Sequence, residues 1–270
     1  MKKTLPHDGE RVVEAAYGAT AEGRNILAMH LASYSRALEF CSGKDVLDLG
    51  CGSGYGIASL APHARSVVGV DVSTAAVEYA REQYRFPNLR YEEIIADRPT
   101  HFPAESFDVV LSFQVIEHVV DDAAYVAEIH RLLRKGGVAL FITPDRRTRL
   151  FRWQKPWNRW HLREYSDESL AHVVCKRLSI LGSEVMRGEA LPVAAELRRY
   201  RLARWAALPV TLPFVPETLR FAGLALLSWI STRLQKQHNE GASQSSSRTS
   251  YWFERDDHPG LNVLVIAKKS

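Results

Sequence analysis

The chain has 270 residues, of which 46% are hydrophobic, 24% charged and 10% aromatic. These values exclude collagen-like, disulfide-built and wholly disordered chains, and they describe a globular protein long enough to bury a core. A formal net charge of +4 is too mild to argue for a nucleic-acid partner, and 3 cysteines without CxxC spacing favour reduced thiols over a disulfide framework or a zinc site.

No targeting or membrane-spanning segment is predicted. The first residues, MKKTLPHDGERVVE, place charges where a signal peptide needs an apolar region. In the insertion, uncharged stretches lie between Arg204 and Glu217 and from Phe221 to Thr232, and neither reaches the roughly 20 apolar residues of a spanning helix. We therefore expect a cytoplasmic protein, and contact with the inner face of the membrane stays open.

The first half of the chain alternates strands and helices. In chain order it reads KDVLDLG, an alanine-rich helical turn, SVVGVDV, TAAVEYAREQY, LRYEEIIAD and FDVVLSF. A helix through DDAAYVAEIHRLLRKGG is expected to end at Gly136 and Gly137, followed by the strand VALFIT up to Pro144. This alternation predicts an α/β fold with a parallel sheet, and strands so continuously apolar fit a sheet covered by helices on both faces.

The pattern changes after Pro144. Residues 145–165 are rich in arginine and tryptophan, Ser166 with Ser169 opens a further helix, and LSILGSEVMRG over 178–188 predicts a strand. The last strand is LNVLVIAKK, and residues 190–250 before it form an insertion that is first basic and helical, then interrupted by prolines, then an apolar helix. The end of the insertion, NEGASQSSSRTS, is typical of a mobile loop.

A strand that leads into a glycine-rich turn carries the most information about ligand binding. The run from Val46 to Gly56 reads VLDLGCGSGYG, and glycines at such a turn let the backbone approach a ligand closely. The next strand ends at Asp71, about 20 residues further on, where a carboxylate can accept hydrogen bonds from both ribose hydroxyls of a nucleoside. The spacing does not match the G-x-G-x-x-G/A fingerprint of dinucleotide sites.

The pattern Asp48-x-Gly50-x-Gly52-x-Gly54 resembles motif I of the class I S-adenosylmethionine-dependent methyltransferases. The resemblance extends over roughly residues 24 to 188 and returns at the last strand. It implies S-adenosylmethionine as cofactor, S-adenosylhomocysteine as product, and a Rossmann-like fold whose seven-stranded, mostly parallel sheet has helices on both faces. We divide the chain into an N-terminal helical cap (1–44), a cofactor-binding core (45–189), the helical insertion with its loop (190–250) and the final core strand (251–270).

The resemblance also implies which residues bind the cofactor. Asp71 matches the ribose-binding acid, Asp97 matches the acid that contacts the adenine amino group, and Phe113 with Gln114 would border the methionine part. Where many relatives carry a Leu-Pro pair shortly after the acid, this chain reads Asp97-Arg-Pro-Thr-His-Phe-Pro. The full set of expected cofactor residues is Asp48, Gly50, Cys51, Gly52, Gly54, Tyr55, Asp71, Val72, Asp97, Phe113 and Gln114.

Three residues are candidates for the base that would take a proton from an acceptor hydroxyl: His118, His161 and Glu117. His118 follows the fourth strand, at the sheet edge where open α/β folds place their ligands, and it is the leading candidate. Its alternative role is to shape the loop or cap the next helix, and the alternative for His161 is a packed histidine. Asp121 and Asp122 fit helix capping better than metal binding, so no metal is expected.

The acceptor is predicted from the segment between Asp145 and Glu164, which holds basic residues, no acid and several tryptophans. Tryptophan faces pack on sugar rings or lipid, and arginine grips phosphate or carboxylate, so an anionic or lipid-linked glycan fits both. The alternative is a solvated basic loop with tryptophans in the core. The expected substrate residues are Trp153, Trp157, Trp160, Arg163 and Tyr165.

Short motifs narrow the resemblance further. WHLREYSDESL, GER at residues 9–11 and DLGCGSGYG resemble a subgroup encoded beside glycosyltransferases and associated with sugar methylation and polysaccharide biosynthesis. The expected activity is O-methylation of a sugar, glycan or glycolipid. A quinone, phenolic or lipid acceptor and a non-catalytic cofactor-binding regulatory module stay as alternatives, and a nucleic-acid substrate is not expected. The basic, amphipathic residues 197–237 fit a membrane surface, a cover over the site or a homodimer interface.

Overall fold

In the computed structural model of the chain, residues 20–238 and 250–270 are described. The first 19 residues of the predicted N-terminal cap, with the GER motif at 9–11, and the polar tract at 239–249 lie outside these residues. The helices are α1 (Ala21–Cys41), α2 (Tyr55–Ala58), α3 (Thr74–Gln83), α4 (Asp122–Leu132), α5 (Arg146–Arg149), α6 (Asp167–Val174), α7 (Ala190–Ala206) and α8 (Glu217–His238). The strands are β1 (Asp45–Leu49), β2 (Ser66–Asp71), β3 (Leu89–Glu93), β4 (Phe107–Phe113), β5 (Leu133–Pro144), β6 (Ser179–Gly188), β7 (Tyr251–Glu254) and β8 (Asn262–Lys268).

The strands form one sheet in the order β3-β2-β1-β4-β5-β8-β6-β7. The first five strands in this order are parallel to one another, and β8 runs antiparallel to both β5 and β6. The carboxyl ends of β1, β2 and β4 therefore meet at one edge of the sheet. Parallel sheets whose strand order reverses at β1 place a crevice at this edge, where ligands bind.

Both faces of the sheet are covered, as the continuously apolar strands predict. Side chains of one strand alternate between two buried clusters: Val46 belongs to one cluster, and Leu47 and Leu49 belong to the other. The same alternation holds in β2, where Val67 and Val68 lie on opposite faces. A period of two with both faces apolar is what a sheet between two helical layers requires.

Two helix boundaries follow from their capping residues, and one differs from the prediction. The side chain of Ser166 accepts a hydrogen bond from the backbone amide of Ser169, and the backbone amide of Ser166 donates one to the side chain of Ser169, which forms the capping box of α6. Asp121 caps α4 through a 2.9 Å bond from the amide of Ala124. Helix α4 ends at Leu132 and not at the predicted glycine pair, because β5 begins at Leu133 and pairs there with β4.

The sheet has eight strands instead of the predicted seven. The additional strand is β7, which pairs antiparallel with the outer edge of β6 from Gly188 opposite Tyr251 to Val185 opposite Glu254. The residues YWFE precede a clear final strand and carry little period-two signal of their own, so only the pairing with β6 identifies them.

The insertion contains helices α7 and α8 joined through a short 3-10 turn at Leu208–Val210. Helix α7 packs against α5 and β6, while α8 packs on the 3-10 turn. Within the described parts of the chain, no helix is both long enough and apolar enough to cross a membrane.

Candidate active site

A cavity of about 680 Å³ opens at the carboxyl edge of β1, β2 and β4. Its volume lies within the range of about 300 to 1,000 Å³ that is typical of sites for small molecules. Most of the expected cofactor residues line it together with one expected base: Gly50, Cys51, Gly52, Tyr55, Asp71, Val72, Asp97, Phe113, Gln114 and His118. The structure thus brings residues from four successive strand ends to one place.

The glycine turn between β1 and α2 shapes the floor of this cavity. Gly54 has φ +84°, and a Cβ there would lie 2.6 Å from Ala80 and 2.8 Å from the Tyr91 ring, so a side chain does not fit. Gly52 has φ +55°, and an added Cβ would meet no protein atom within 4 Å. The backbone at Gly52 is therefore bare toward open space, which allows a ligand to approach it closely.

Asp71 is buried at the end of β2, and hydrogen bonds orient its carboxylate. Oδ2 accepts from the amide of Gly52 at 3.0 Å, and Oδ1 accepts from the amide of Ser73 at 2.9 Å. Two backbone amides therefore fix the orientation of this carboxylate at the cavity. The geometry fits recognition of two neighbouring hydroxyls.

Asp48 is fully buried and does not line the cavity. Its Oδ2 accepts a 2.8 Å hydrogen bond from the hydroxyl of Tyr34, while Oδ1 has no partner among the described residues. Burial raises the pKa of Asp48 to about 7, the nearby charge of Asp71 adds to this, and the bond from Tyr34 opposes it. The chain thus keeps a costly carboxyl directly beneath its glycine turn.

Asp97 lines the cavity, but it does not close β3 as the sequence suggests. The strand ends at Glu93, and Asp97 lies four positions later in a turn with φ +53°. Its Oδ1 accepts a 3.3 Å bond from the amide of Val120, across the cavity mouth. Asp97 thus lies in an exposed turn that lacks the Leu-Pro pair, whereas Asp71 is buried at the end of a strand.

Helix α1 supplies wall residues that sequence reasoning missed. His30 and Tyr34 lie one helical turn apart and both line the cavity. Burial lowers the pKa of His30 to about 4, so the imidazole is neutral near pH 7. The ring of Tyr34 packs edge-on against Phe113, with 5.1 Å between ring centroids. The spacing of four residues is compatible with a shared face, but no motif marks it as a binding face.

The three candidate bases form one cluster beside the cavity. A ligand atom from each of Glu117, His118 and His161 lies within 4.8 Å of the other two, and the imidazole rings are in edge contact. His118 lines the cavity, whereas Glu117 and His161 are buried behind it. Nδ1 of His118 lies 3.1 Å from the carbonyl oxygen of Trp160. Because a carbonyl only accepts, Nδ1 carries the proton and the acceptor lone pair is on Nε2.

A chain of buried polar contacts holds His161. Its Nδ1 lies 2.8 Å from Oε1 of Glu164, and Nε of Arg149 donates to Oε2 at 3.0 Å. Burial opposes ionisation of Glu164, but the charge of Arg149 and the bond from His161 lower its pKa to about 2. Glu164 is therefore ionised near pH 7, and it fixes the orientation of the His161 ring.

The expected substrate residues lie outside the cavity lining, and most of them have structural partners. The Arg149 guanidinium stacks on Trp157 at 4.1 Å, and Trp157 Nε1 donates to the Arg149 carbonyl. Arg163 donates to the carbonyls of Val119 and Val120, and the Tyr165 hydroxyl donates to Asp122 at 2.8 Å. Trp153 and Trp160 are exposed.

The same segment also anchors the insertion. Gln154 donates to Thr211, Lys155 donates to the carbonyl of Val215, and the buried Arg220 donates to the carbonyl of Pro156. These bonds run between residues 150–160 and the start of α8. Two of the basic residues noticed in the sequence, Lys155 and Arg220, therefore attach one part of the chain to another.

Comparison with known proteins supports a methyltransferase domain. Residues 47–141 match a family described as "Methyltransferase domain". A probable S-adenosylmethionine-dependent methyltransferase of Mycolicibacterium smegmatis is 38% identical over 174 residues, which cover 64% of this chain and 65% of that protein. A ubiquinone biosynthesis O-methyltransferase of Acinetobacter baylyi is 33% identical over 108 residues, which cover 39% of this chain and 45% of that protein. The chain thus spans less than two thirds of either relative.

Solved structures support the fold. An S-adenosylmethionine-dependent methyltransferase from Mesorhizobium loti superposes with a TM-score of 0.54 at 16% identity, over 94% of this chain and 100% of that one. The [4+2]-cyclase SpnF superposes with a TM-score of 0.55 at 16% identity, over 93% of this chain and 84% of that one. Likeness at this identity shows the fold alone. The predicted α/β Rossmann-like methyltransferase fold is confirmed, and residues 47–141 match the methyltransferase domain family.

Proposed function

We propose that the chain is an S-adenosylmethionine-dependent O-methyltransferase that acts on a hydroxyl group of a sugar, glycan or glycolipid. The observation that carries the proposal is that one cavity is lined by the bare glycine turn, the oriented carboxylate of Asp71 and the His118 ring. Binding groups for a nucleoside lie at one end of this arrangement, and a proton acceptor lies within the same cavity.

The residues of the cavity fit S-adenosylmethionine. The open space over Gly52 accommodates an atom of the cofactor, and the oriented carboxylate of Asp71 is assigned to the ribose hydroxyls. The Oδ1 atom of Asp48, buried without a partner, is suited to a nearby cation or donor. Phe113 and Gln114 border the same space, where we assign the methionine part, and Asp97 at the mouth is assigned to the adenine amino group.

When bound, S-adenosylmethionine supplies a methyl group on a positively charged sulfur, and the methyl carbon is open to in-line attack. The protein's own contribution is to hold the acceptor oxygen in position and to receive its proton. His118 suits the second role, since Nδ1 is held as a donor by the Trp160 carbonyl and Nε2 is the basic atom. In this scheme Glu117 and His161 position His118 from behind.

A quinone or phenolic acceptor is the second candidate. It is favoured by the cavity wall, where Val72, Ile95 and Val119 present apolar side chains, and by the ubiquinone O-methyltransferase among the relatives. The exposed Trp153 and Trp160 with Arg159, whose guanidinium lies over the Trp160 ring, favour the glycan. Both acceptor classes include molecules with long lipid tails.

The insertion fits contact with an anionic lipid surface. Large apolar side chains are exposed along α7, the following turn and α8: Leu202, Trp205, Phe214, Leu219, Phe221, Leu226, Trp229 and Ile230. Exposed Arg198, Arg201 and Arg233 lie among them. Apolar residues with basic neighbours bind the interface of an acidic bilayer, which would bring the cavity to a lipid-linked acceptor.

Flotation with phosphatidylglycerol vesicles tests this, with a Trp205→Ser, Trp229→Ser double variant expected to bind less. Equal binding of both proteins would argue for a homodimer interface instead.

The function is tested with methyl-labelled S-adenosylmethionine and an extract fractionated into glycan, lipid, quinone, protein and nucleic-acid pools. Label in the glycan or glycolipid pool that disappears with Asp71→Ala supports the proposal, and label in the quinone pool supports the second candidate. The matched control is Glu168→Ala, which replaces an exposed acid on α6 and is expected to keep full transfer. Calorimetric binding of the cofactor without transfer to any pool would instead identify a non-catalytic cofactor-binding module.

A further inference from the structure

The cluster of Glu117, His118 and His161 has a feature that proton transfer alone does not require. Both carboxylate oxygens of Glu117 are buried without a hydrogen-bond partner among the described residues, and the side chain is 0% exposed. An ionised carboxylate without partners in a protein interior is strongly unfavourable, so such groups are paired or bind a metal ion. No lysine or arginine forms an ion pair with Glu117 in the described chain.

The surroundings of the two histidines match those of metal ligands. A metal-binding imidazole usually donates its second ring N–H to a carboxylate or a backbone carbonyl, which fixes the ring and leaves the other nitrogen for the metal. His161 makes this contact with the Glu164 carboxylate at 2.8 Å, and His118 makes it with the Trp160 carbonyl at 3.1 Å. In both rings, Nε2 is therefore the candidate ligand atom.

We infer that Glu117, His118 and His161 bind a divalent transition-metal ion of the zinc class at the wall of the cavity. Two imidazoles and one carboxylate are a donor set suited to Zn²⁺ or Fe²⁺ and unsuited to Mg²⁺ or Ca²⁺, which prefer oxygen. One ligand atom from each residue lies within 4.8 Å of the others, and bonds of about 2.0 to 2.2 Å would draw the three somewhat closer. The sequence alone predicts no metal, because it assigns the adjacent acids Asp121 and Asp122 to the start of α4.

The site deepens the proposed function and rests on it for its chemical role. Only His118 of the three residues lines the cavity, so an ion held by all three would keep coordination positions open on that side. An acceptor hydroxyl beside the ion loses its proton to solvent more readily, because the positive charge stabilises the oxygen anion. The oxygen then forms one bond to the methyl carbon as the carbon–sulfur bond breaks, and the electron pair of that bond stays on sulfur. With the ion bound, His118 acts as a ligand instead of as the base.

Cobalt titration tests the metal site separately from methyl transfer. Protein freed of metal with a chelator is titrated with Co²⁺, and binding is followed by visible absorption and by calorimetry. The titration compares the wild type, Glu117→Gln, His161→Asn and the exposed control His172→Asn. We expect one Co²⁺ per chain in the wild type and the control, and affinity at least about tenfold lower in both cluster variants. Absence of stoichiometric binding by the wild type, or equal affinity in all four proteins, would overturn the inference.

Cofactor binding in the same samples separates the two proposals. Retained S-adenosylmethionine binding by the variants shows that they are folded, so their loss of Co²⁺ then reports the ligands. Co²⁺ binding that depends on Glu117 and His161 supports the metal site even if no protein binds S-adenosylmethionine, a result that would refute the proposed function alone. Methyl transfer at an unchanged rate by chelated, metal-free protein would overturn the role of the ion in the reaction.

Discussion

Replacing the buried Asp48 by asparagine should stabilise the ligand-free protein at neutral and alkaline pH. Asparagine has nearly the same shape, and its side-chain oxygen can accept the hydrogen bond that Tyr34 now donates to Oδ2. The substitution therefore removes the charge and leaves the packing and the hydrogen bond in place. The same change should weaken binding of S-adenosylmethionine, because it removes a carboxylate beneath the glycine turn.

The magnitude follows from the pKa of Asp48, which burial raises from 3.8 to about 7. The folded protein binds this proton more tightly than the unfolded chain, so the contribution to stability is fully present below pH 4 and is lost as the pH rises through 7. Each pKa unit corresponds to about 1.4 kcal/mol, so the ionised carboxylate lowers the free energy of unfolding by on the order of 4 kcal/mol above pH 7. Asparagine does not carry this penalty.

Urea unfolding at pH 5, 6, 7 and 8 measures the effect, with Asp45→Asn as a control on the same strand. Asp45 pairs with Arg65 and Arg134, and the hydrogen bond from Arg65 is the largest cause of its lowered pKa. Its ionised form stabilises the fold above about pH 4, so Asp45→Asn should be destabilised by a constant amount from pH 5 to 8. Asp48→Asn should gain steadily relative to wild type over that range. A flat or negative difference for Asp48→Asn would refute the buried-charge reasoning.

Four further substitutions test other parts of the site. Gly52→Ala should lower the free energy of unfolding by about 1 to 2 kcal/mol because of the positive φ, and it should weaken cofactor binding measured by calorimetry. Gly54→Ala should lower the melting temperature further than Gly52→Ala, because an added Cβ would lie 2.6 Å from an atom of α3. Arg149→Met leaves its partner carboxylate buried and should lower the free energy of unfolding in urea by about 3 to 5 kcal/mol, whereas a loss below 1 kcal/mol would place the ion pair in solvent. Burial lowers the pKa of His30 to about 4, so the wild type should lose stability as the pH falls from about 6.5 toward 4, and His30→Gln should lose less. Equal pH profiles in thermal unfolding would contradict this.

The cofactor end of the site could be predicted because its residues are close together in the chain. The glycine turn follows β1 directly, and Asp71 ends the next strand, so a single β-turn-α-β unit places both. The apolar strands carry a two-residue period on both faces, which is enough to predict a covered parallel sheet. Local patterns of this kind depend on neighbouring residues, and a sequence shows them directly.

The clustering of the three candidate bases could not be predicted, because Glu117 and His118 lie in one segment of the chain and His161 lies in another. His161 reaches Glu117 and His118 only because residues 145–165 fold back across the end of β4, where the amide of Leu162 donates to the Glu117 carbonyl. The unpaired carboxylate of Glu117 has no signature in the sequence, since a glutamate before a histidine is compatible with a surface loop.

The sequence by itself determined the class of fold, the alternation of strands and helices in its parallel half and the residues expected around the cofactor. Only the tertiary structure decided that His30 and Tyr34 complete the cavity, that β7 extends the sheet, and that the arginine and tryptophan segment anchors the insertion. The physical reason is that helical and strand periods are set by neighbouring residues, whereas burial and ion pairing depend on which distant segments meet. A basic residue has the same appearance in the sequence whether it faces solvent or, like Arg149, lies in the core beside a carboxylate.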